Sequence, residues 1–489
     1  MATIISFNVA VASCLVLATT AAEDWPMFRG PNGSGVSETA TPPQEFGPNQ
    51  NVVWKVEVPW SPGSPTVVKD RVFLNAYLDG KLETRAYSTQ GGKLLWTGSL
   101  APVETEQFHR TDGSPAAGTP ACDGTHVVSY FGSCGLVAYT VEGRELWRYP
   151  MAVALTTGGY GSGTSPLIAG DSVIVNRDIS TNSSLYCLDL KTGKLRWEVP
   201  RPDARSSYGT PILWRGNGVE EVVTPGTYLL KGYDLKSGAN HWFLSGVTHI
   251  ACTTPVVGDG LLFFAGWGPG KADHPWPTWE QWLANSDKNH DGVIDETDVG
   301  AETWSYMKGL DIDFDGKLTK ADFDKLQHFT DKSQNVLVAV KPGCTGEVDE
   351  GHIAWKATKG LPYVPSPLYY KGRIYLLKDG GIVSCFDAKT GAAIWEQERL
   401  STAGNYYASP VAADGRIFVT SLDGKMTVLK AGTDKPEVLR TIDFHERIGA
   451  TPALANDRIY VRTATALYAF GSRGLQPAVN GLVAGPRAL

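Results

Sequence analysis

Cys187-Leu188-Asp189-Leu190-Lys191-Thr192-Gly193-Lys194-Leu195-Arg196-Trp197 and Cys385-Phe386-Asp387-Ala388-Lys389-Thr390-Gly391-Ala392-Ala393-Ile394-Trp395 are two copies of one pattern. Its core, Gly, three residues, then Trp, recurs at Gly92/Trp96, Gly143/Trp147, Gly238/Trp242 and Gly351/Trp355. A second signature, Ser-Pro or Thr-Pro followed by a turn and a strand, falls at Pro65, Pro120, Pro166, Pro211, Pro255, Pro367, Pro410 and Pro452. The steps between these prolines are 55, 46, 45, 44, 112, 43 and 42 residues. Self-similarity at a fixed period of this size marks stacked supersecondary units, none of which can bury its apolar faces alone.

Inside one unit the pattern is that of strands. After Pro410 come short β-rich runs broken by Asp414-Gly415 and Asp423-Gly424. Asp-Gly between apolar runs is a strong hairpin signal. Each unit therefore offers about four short antiparallel strands, which is one propeller blade. Eight anchors predict an all-β, eight-bladed β-propeller. Trp54, in Asn51-Val52-Val53-Trp54, looks like the fourth strand of a unit lacking its first three, and the last unit stops after about three. The N-terminal strand should therefore complete blade eight. The repeated Trp is read as filling the seam between blades. Leu439 and Arg440 replace it in blade seven.

The 112-residue step has a separate cause. Removing residues 271–335 leaves one normal unit, so this segment is an insert in the fifth blade, between Leu261–Ala265 and Val336–Val340. It contains two twelve-residue acidic loops. The first runs Asp287, Asn289, Asp291, Gly292, Val293, Asp295, Asp298 and the second Asp311, Asp313, Asp315, Gly316, Lys317, Thr319, Asp322, at positions 1, 3, 5, 6, 7, 9 and 12. Oxygen donors at 1, 3, 5, 9 and 12, the position-7 carbonyls of Val293 and Lys317, and Gly at the sharp turn wrap a hard cation. Both loops resemble EF-hand calcium loops. Asp at position 12 departs from the usual Glu and is similar to dockerin-like modules. Helices are expected over 279–285 and 299–310 and from about Thr319, whose spacing to Asp322 suits an N-cap pair.

The Asp-x-Lys-Thr-Gly-x-x-x-Trp copies resemble pyrroloquinoline-quinone (PQQ) type propeller repeats. These occur in quinoprotein alcohol dehydrogenases and in the propeller lipoprotein of the bacterial outer-membrane β-barrel assembly machine. Asp24-Trp25-Pro26-Met27-Phe28-Arg29-Gly30-Pro31-Asn32-Gly33-Ser34-Gly35 is similar to an opening motif of exported bacterial PQQ-like propellers. The resemblance spans about residues 24–471 and speaks for architecture more than for function. Features of the quinoprotein enzymes are missing from the sequence: the adjacent-cysteine pair, a CxxCH haem motif, and a central loop that would identify the catalytic Asp beside calcium.

Composition agrees with a folded domain. Hydrophobic residues make up 42% of 489, net charge is −7, and no long basic run suggests nucleic acid. Residues 1–22 are apolar, end in small residues and read as a signal peptide cut after Ala22. Val11-Ala12-Ser13-Cys14 also fits a lipoprotein box, but the apolar run continues past Cys14. Six cysteines remain after cleavage. Cys187 and Cys385 belong to separate blades, Cys122 and Cys134 are candidates to face each other across a hairpin, and free thiols are the alternative.

The long loop from Thr97 to Gly118 holds His109, Arg110 and Asp112. It can reach over the channel, but such a pair in a loop reads first as solvated surface. Gly158–Gly163 and Gly30–Gly35 lack the Lys and Ser/Thr of a phosphate loop and read as turns. Asn32 and Asn182 begin short sequons of little weight.

The chain thus divides into a leader, 1–22; an arm, 23–49; a first propeller part, 50–270; the insert, 271–335; a second propeller part, 336–471; and a tail, 472–489. The expected function is an exported, periplasmic or secreted, binding scaffold for a protein or small ligand, with calcium in the insert. A PQQ-dependent alcohol or sugar dehydrogenase is the second expectation.

Overall fold

A computed structural model describes residues 23–180, 182–204, 207–268, 277–307, 310–311 and 315–472. The expected leader, most of the tail and Asp313 lie outside the described residues.

Among the described residues there are eight sheets, seven antiparallel of four strands and one of five whose last strand is parallel. Within a blade the strands lie in chain order, as in Thr66–Val68, Arg71–Leu78, Lys81–Ser88 and Leu94–Leu100. Ala453–Ala455, Arg458–Arg462 and Ala466–Phe470 supply three strands of blade eight, and Val52–Glu57 supplies the fourth. Trp54 pairs with Ala469 there, so the N-terminal strand closes the ring as its orphaned position implied. Closure leaves each blade only a short outer edge.

The Gly-x-x-x-Trp spacing has a direct structural cause. Gly193 has φ +68, and a Cβ added there would fall 2.5 Å from the Trp147 ring of the preceding blade. Gly92 meets Trp54, Gly143 meets Trp96, Gly238 meets Trp197 and Gly391 meets Trp355 in the same way, at 2.5–2.8 Å. Only glycine gives both the left-handed turn and the room for an indole. Each indole N–H then donates to a carbonyl of the neighbouring blade: Trp54 to Thr89, Trp96 to Val141, Trp147 to Leu190, Trp197 to Leu235 and Trp355 to Ala388, at 2.7–3.2 Å. The buried polar atom is satisfied and the seam is filled by one side chain.

Blade four departs from this. Trp242 is fully buried within its own sheet, and its Nε1 donates to Glu221 Oε2 at 3.1 Å. Gly346–Glu347 adds a fifth, parallel strand along Asn240–Ser245 and covers the edge where docking would occur. In blade seven Arg440, in the usual Trp position, reaches back to Glu45 of the arm at 3.0 Å.

The arm crosses one face of the disc. Trp25 exchanges main-chain bonds with Val67 of blade one. Asn32 bonds both the N–H and the C=O of Leu213 in blade four at 2.8 Å. Val36 bridges to Ala412 of blade seven. The Asn32 amide is thus committed to the fold.

All six described cysteines are free. Cys122 pairs in register with Val127, whereas Cys134 lies in the turn after Phe131, at the far end of strand His126–Phe131. At about 3.3 Å per residue they stand more than about 13 Å apart, so this pair cannot be bridged.

Candidate functional site

Two places gather chemistry: the channel and the acidic loops. In the channel the Ser/Thr-Pro residues form a closed hydrogen-bonded collar. The N–H of Ser64 donates to Thr119 Oγ1, Thr119 to Ser165, Ser165 to Thr210, Thr210 to Thr254, Thr254 to Ser366, Ser366 to Ser409, Ser409 to Thr451, and Thr451 back to Ser64, all at 2.9–3.2 Å. Each blade is tied to the next by one such bond. The hydroxyl is required because a buried N–H needs an acceptor, and the proline after it fixes the entry of the innermost strand.

Against this collar lies a cavity of about 680 Å³. Thr119, Ser165, Ser366, Ser409 and Thr451 line it, with Tyr208, Tyr363, Tyr407 and His249 among its walls. The long loop of blade one arches over it. His109 stacks on Tyr160 with ring centroids 6.0 Å apart, and Asp112 accepts from Tyr407 Oη at 3.3 Å and is ion-paired with Arg447. Arg447 in turn lies over the Trp60 ring at 5.5 Å. His109 and Arg110 are both exposed, as the sequence suggested for this pair, but His109 also lines the cavity mouth together with the half-buried Asp112. The glycine-rich segment joins them, since Gly161, Ser162 and Gly163 line the same cavity.

Behind this wall Glu106 is buried and accepts from the Ser162 N–H at 3.0 Å and its Oγ at 2.7 Å. Burial raises its carboxyl to about 7. Burial also pushes the Cys252 thiol up to about 12 and lowers His249, so neither is charged near neutral pH. Sequence reading missed Tyr208, Tyr363, Tyr407 and His249, although Tyr208 and Tyr407 each stand two residues before the hydroxyl of a Ser/Thr-Pro pair, a position that lines the cavity in every unit. It found the collar residues as fold anchors without seeing that they face a cavity.

A calcium–quinone pair would require several oxygen donors for the ion and cations for the quinone's carboxylates. Among the described lining residues Asp112 is the sole carboxylate, already held by Arg447, and none is an amide, lysine or arginine. The residues present do not fit that group.

The insert places helices Trp279–Ser286, Glu296–Met307 and Lys320–Lys332 around the two acidic loops. Thr319 caps the last helix, accepting from the Asp322 N–H while Asp322 accepts from Thr319. Ile294 and Leu318, position 8 of each loop, form a two-bond antiparallel bridge at 3.0 and 2.8 Å. They pack with Trp279, Trp304 and Phe323.

The carboxylates at positions 1 and 12, Asp287, Asp298, Asp311 and Asp322, are buried. Asp287 accepts from Gly292 at 3.0 Å and Asp311 from Gly316 at 2.9 Å; Asp298 accepts from Lys288 and Asp295 at 3.1 and 3.0 Å. Asn289, Asp291, Asp295 and Asp315 remain exposed or half-buried, and Val293, Lys317 and Thr319 occupy the turns between. Among the described residues no group of three or more His, Cys, Asp or Glu is drawn close enough to hold a metal ion. The loops' own N–H groups occupy these carboxylates.

Solved structures share the fold. BamB from Moraxella catarrhalis is 15% identical, with a TM-score of 0.54 over 86% of this chain and 99% of that one. A europium-containing methanol dehydrogenase is 12% identical, with a TM-score of 0.53 over 92% and 98%. Quinohemoprotein alcohol dehydrogenase from Comamonas testosteroni is 13% identical, with a TM-score of 0.51 over 94% and 82%. No curated protein matches the chain by sequence. The family model described as outer membrane protein assembly factor BamB matches residues 48–158, 135–266, 292–408 and 379–473. With its eight collared blades and most of its length matched, this chain belongs to the PQQ-like propeller family described by that model.

Proposed function

We propose that this protein is an exported binding propeller, working in the periplasm or outside the cell, whose ligand or protein partner engages the channel mouth. The observation that carries the reading is the cavity. Its walls are aromatic and the lining carboxylate of Asp112 is neutralised by Arg447, which suits holding a guest. The BamB likeness supports a binding role by analogy of fold alone. No helix among the described residues is long and apolar enough to cross a membrane.

In the same reading the insert binds calcium. Asp287, Asn289, Asp291, Asp295 and Asp298 with the Val293 carbonyl would hold one ion. Asp311, Asp313, Asp315, Thr319 and Asp322 with the Lys317 carbonyl would hold the other. The buried position-1 and position-12 carboxylates and the Ile294–Leu318 bridge support it. The ions' role is structural, fixing an excursion that leaves and rejoins one sheet. Titration of the purified protein with PQQ and calcium, followed by dye-linked alcohol oxidation, tests the whole. No turnover is expected; tight quinone binding with turnover would overturn the binding reading.

A further inference from the structure

The collar has a property beyond its role in the fold. Each of its hydroxyl oxygens accepts a main-chain N–H, and none of the eight donates its own proton to any acceptor among the described residues. Thr119, Ser165, Ser366, Ser409 and Thr451 are 1–2% exposed, yet all five line the cavity. Buried donors without acceptors are costly unless a guest supplies the acceptor. The cavity floor therefore asks for oxygen lone pairs.

A cation lies behind this floor. Arg29 follows the lining residue Phe28 in the arm, and its Nη2 donates to the carbonyl of Pro367, next to Ser366, at 2.7 Å. A Cβ on Gly35 would lie 2.7 Å from Arg29 Nη2 and 3.1 Å from the carbonyl of Pro410, next to Ser409, so the guanidinium lies against the backbone that follows two of the collar hydroxyls. Arg29 is 0% exposed, its Nε and Nη1 have no hydrogen-bond partner, and no ion pair includes it among the described residues. Burial alone acts on its acidity and lowers it to about 9, as for a cation without a counter-ion.

The walls answer a different need. Tyr208, Tyr363 and Tyr407 surround the volume, and Tyr363 is itself braced edge-on by Trp267 at 5.6 Å. Aromatic walls favour a flat ring system. At the mouth Asp112 and Arg447 are closed on each other as an ion pair.

We propose that the cavity is a binding site for an aromatic acid with a single carboxylate, its rings against the tyrosines and its head on the hydroxyl collar in front of Arg29. The proposal rests on the binding-propeller reading and names the chemistry of its guest. No metal takes part.

The probes are 2-naphthoate and its neutral counterpart 2-naphthamide, titrated by calorimetry into the calcium-loaded full chain without PQQ. Naphthoate should bind at least tenfold tighter than the amide. Tyr363→Ala should weaken both probes alike, placing them in the cavity. Arg29→Met, judged folded by its far-ultraviolet spectrum and melting curve, should reduce the naphthoate-to-amide ratio towards one.

The proposal fails if the amide binds as well as the acid, or if neither binds by about 10 mM. It fails equally if Tyr363→Ala leaves both affinities unchanged, or if a folded Arg29→Met keeps the ratio. Should Arg29→Met not fold, the wild-type ratio and Tyr363→Ala decide. Quinone turnover in the earlier assay would sink the binding reading itself, whereas a preference for the amide sinks only the guest assigned here.

Discussion

Thr254→Val isolates one link of the collar. The Thr254 side chain is 1% exposed, and its hydroxyl makes a single hydrogen bond, accepting the Thr210 N–H at 3.0 Å. Valine keeps the branched shape, so the substitution opens no cavity. What it removes is the acceptor, and the Thr210 N–H is left buried without a partner. An orphaned buried donor costs about 1–3 kcal/mol. Thr254→Ser is the control: it keeps the acceptor and loses a methyl, at about 0.5–1.5 kcal/mol on the scale of small core truncations. A propeller is stabilised by nearest-neighbour seams, so the loss at one link is not shared by the others. Since a chain of 489 residues unfolds with a large entropy, the valine variant should melt about 1–4 °C lower. Differential scanning calorimetry at one calcium concentration measures it, and the order expected is wild type, Ser, then Val. A valine variant as stable as wild type, or a serine variant less stable than valine, would refute the view that the collar is held by its hydroxyl acceptors.

Gly193→Ala forces a Cβ to 2.5 Å from Trp147 in a left-handed turn and should cost at least about 2 kcal/mol by urea midpoint, while Gly170→Ala, left-handed but with open space around it, should cost about half that or less. Asp287→Asn and Asp311→Asn should each remove one calcium-binding event in calorimetry and reduce the rise in Tm on adding calcium, a rise worth about 2.7 kcal/mol at a hundredfold excess over Kd. Glu106 carries a pH signature: its folded pKa of about 7 is raised above the usual 4.5, so the folded state holds a proton that the unfolded chain has lost between those values. Its contribution therefore weakens stability as pH rises from about 4.5 to 7, and Glu106→Gln should flatten that part of the melting profile relative to wild type.

What the sequence disclosed and what it withheld divide along one physical line. The eight Ser/Thr-Pro pairs, the Gly-x-x-x-Trp spacing with its seam-filling Trp, and the closing strand at Trp54 were legible because a repeated fold repeats its demands. Every seam needs one hydroxyl and most need one indole, so the same residues return at the same spacing. The cavity was not legible in this way because it is the place where the repeats differ. Asp112 meets Arg447 across 335 residues, and Arg29 meets Pro367 across 338. Tyr208 and Tyr407 each stand two residues before a collar hydroxyl, a register that every unit repeats but fills with varied residues, and His109 comes from the loop that blade one alone lengthens.

The same contrast explains why the partners of Asp112 could not be read from its loop: a loop's neighbours in space cannot be inferred from its own composition when they belong to other blades. It also says where to look for specificity in such a chain. The collar is set by the fold and can only offer donors, identical from blade to blade. Selection among guests must come from the groups that break the symmetry: the arm that brings Phe28 and Arg29 to one end of the channel, and the blade-one loop that brings His109 and Asp112 to its mouth. Exchanging that loop for the short turn of another blade should therefore change which ligand is held while leaving the eight blades folded. A melting curve and the paired naphthoate and naphthamide titrations would read the two effects separately.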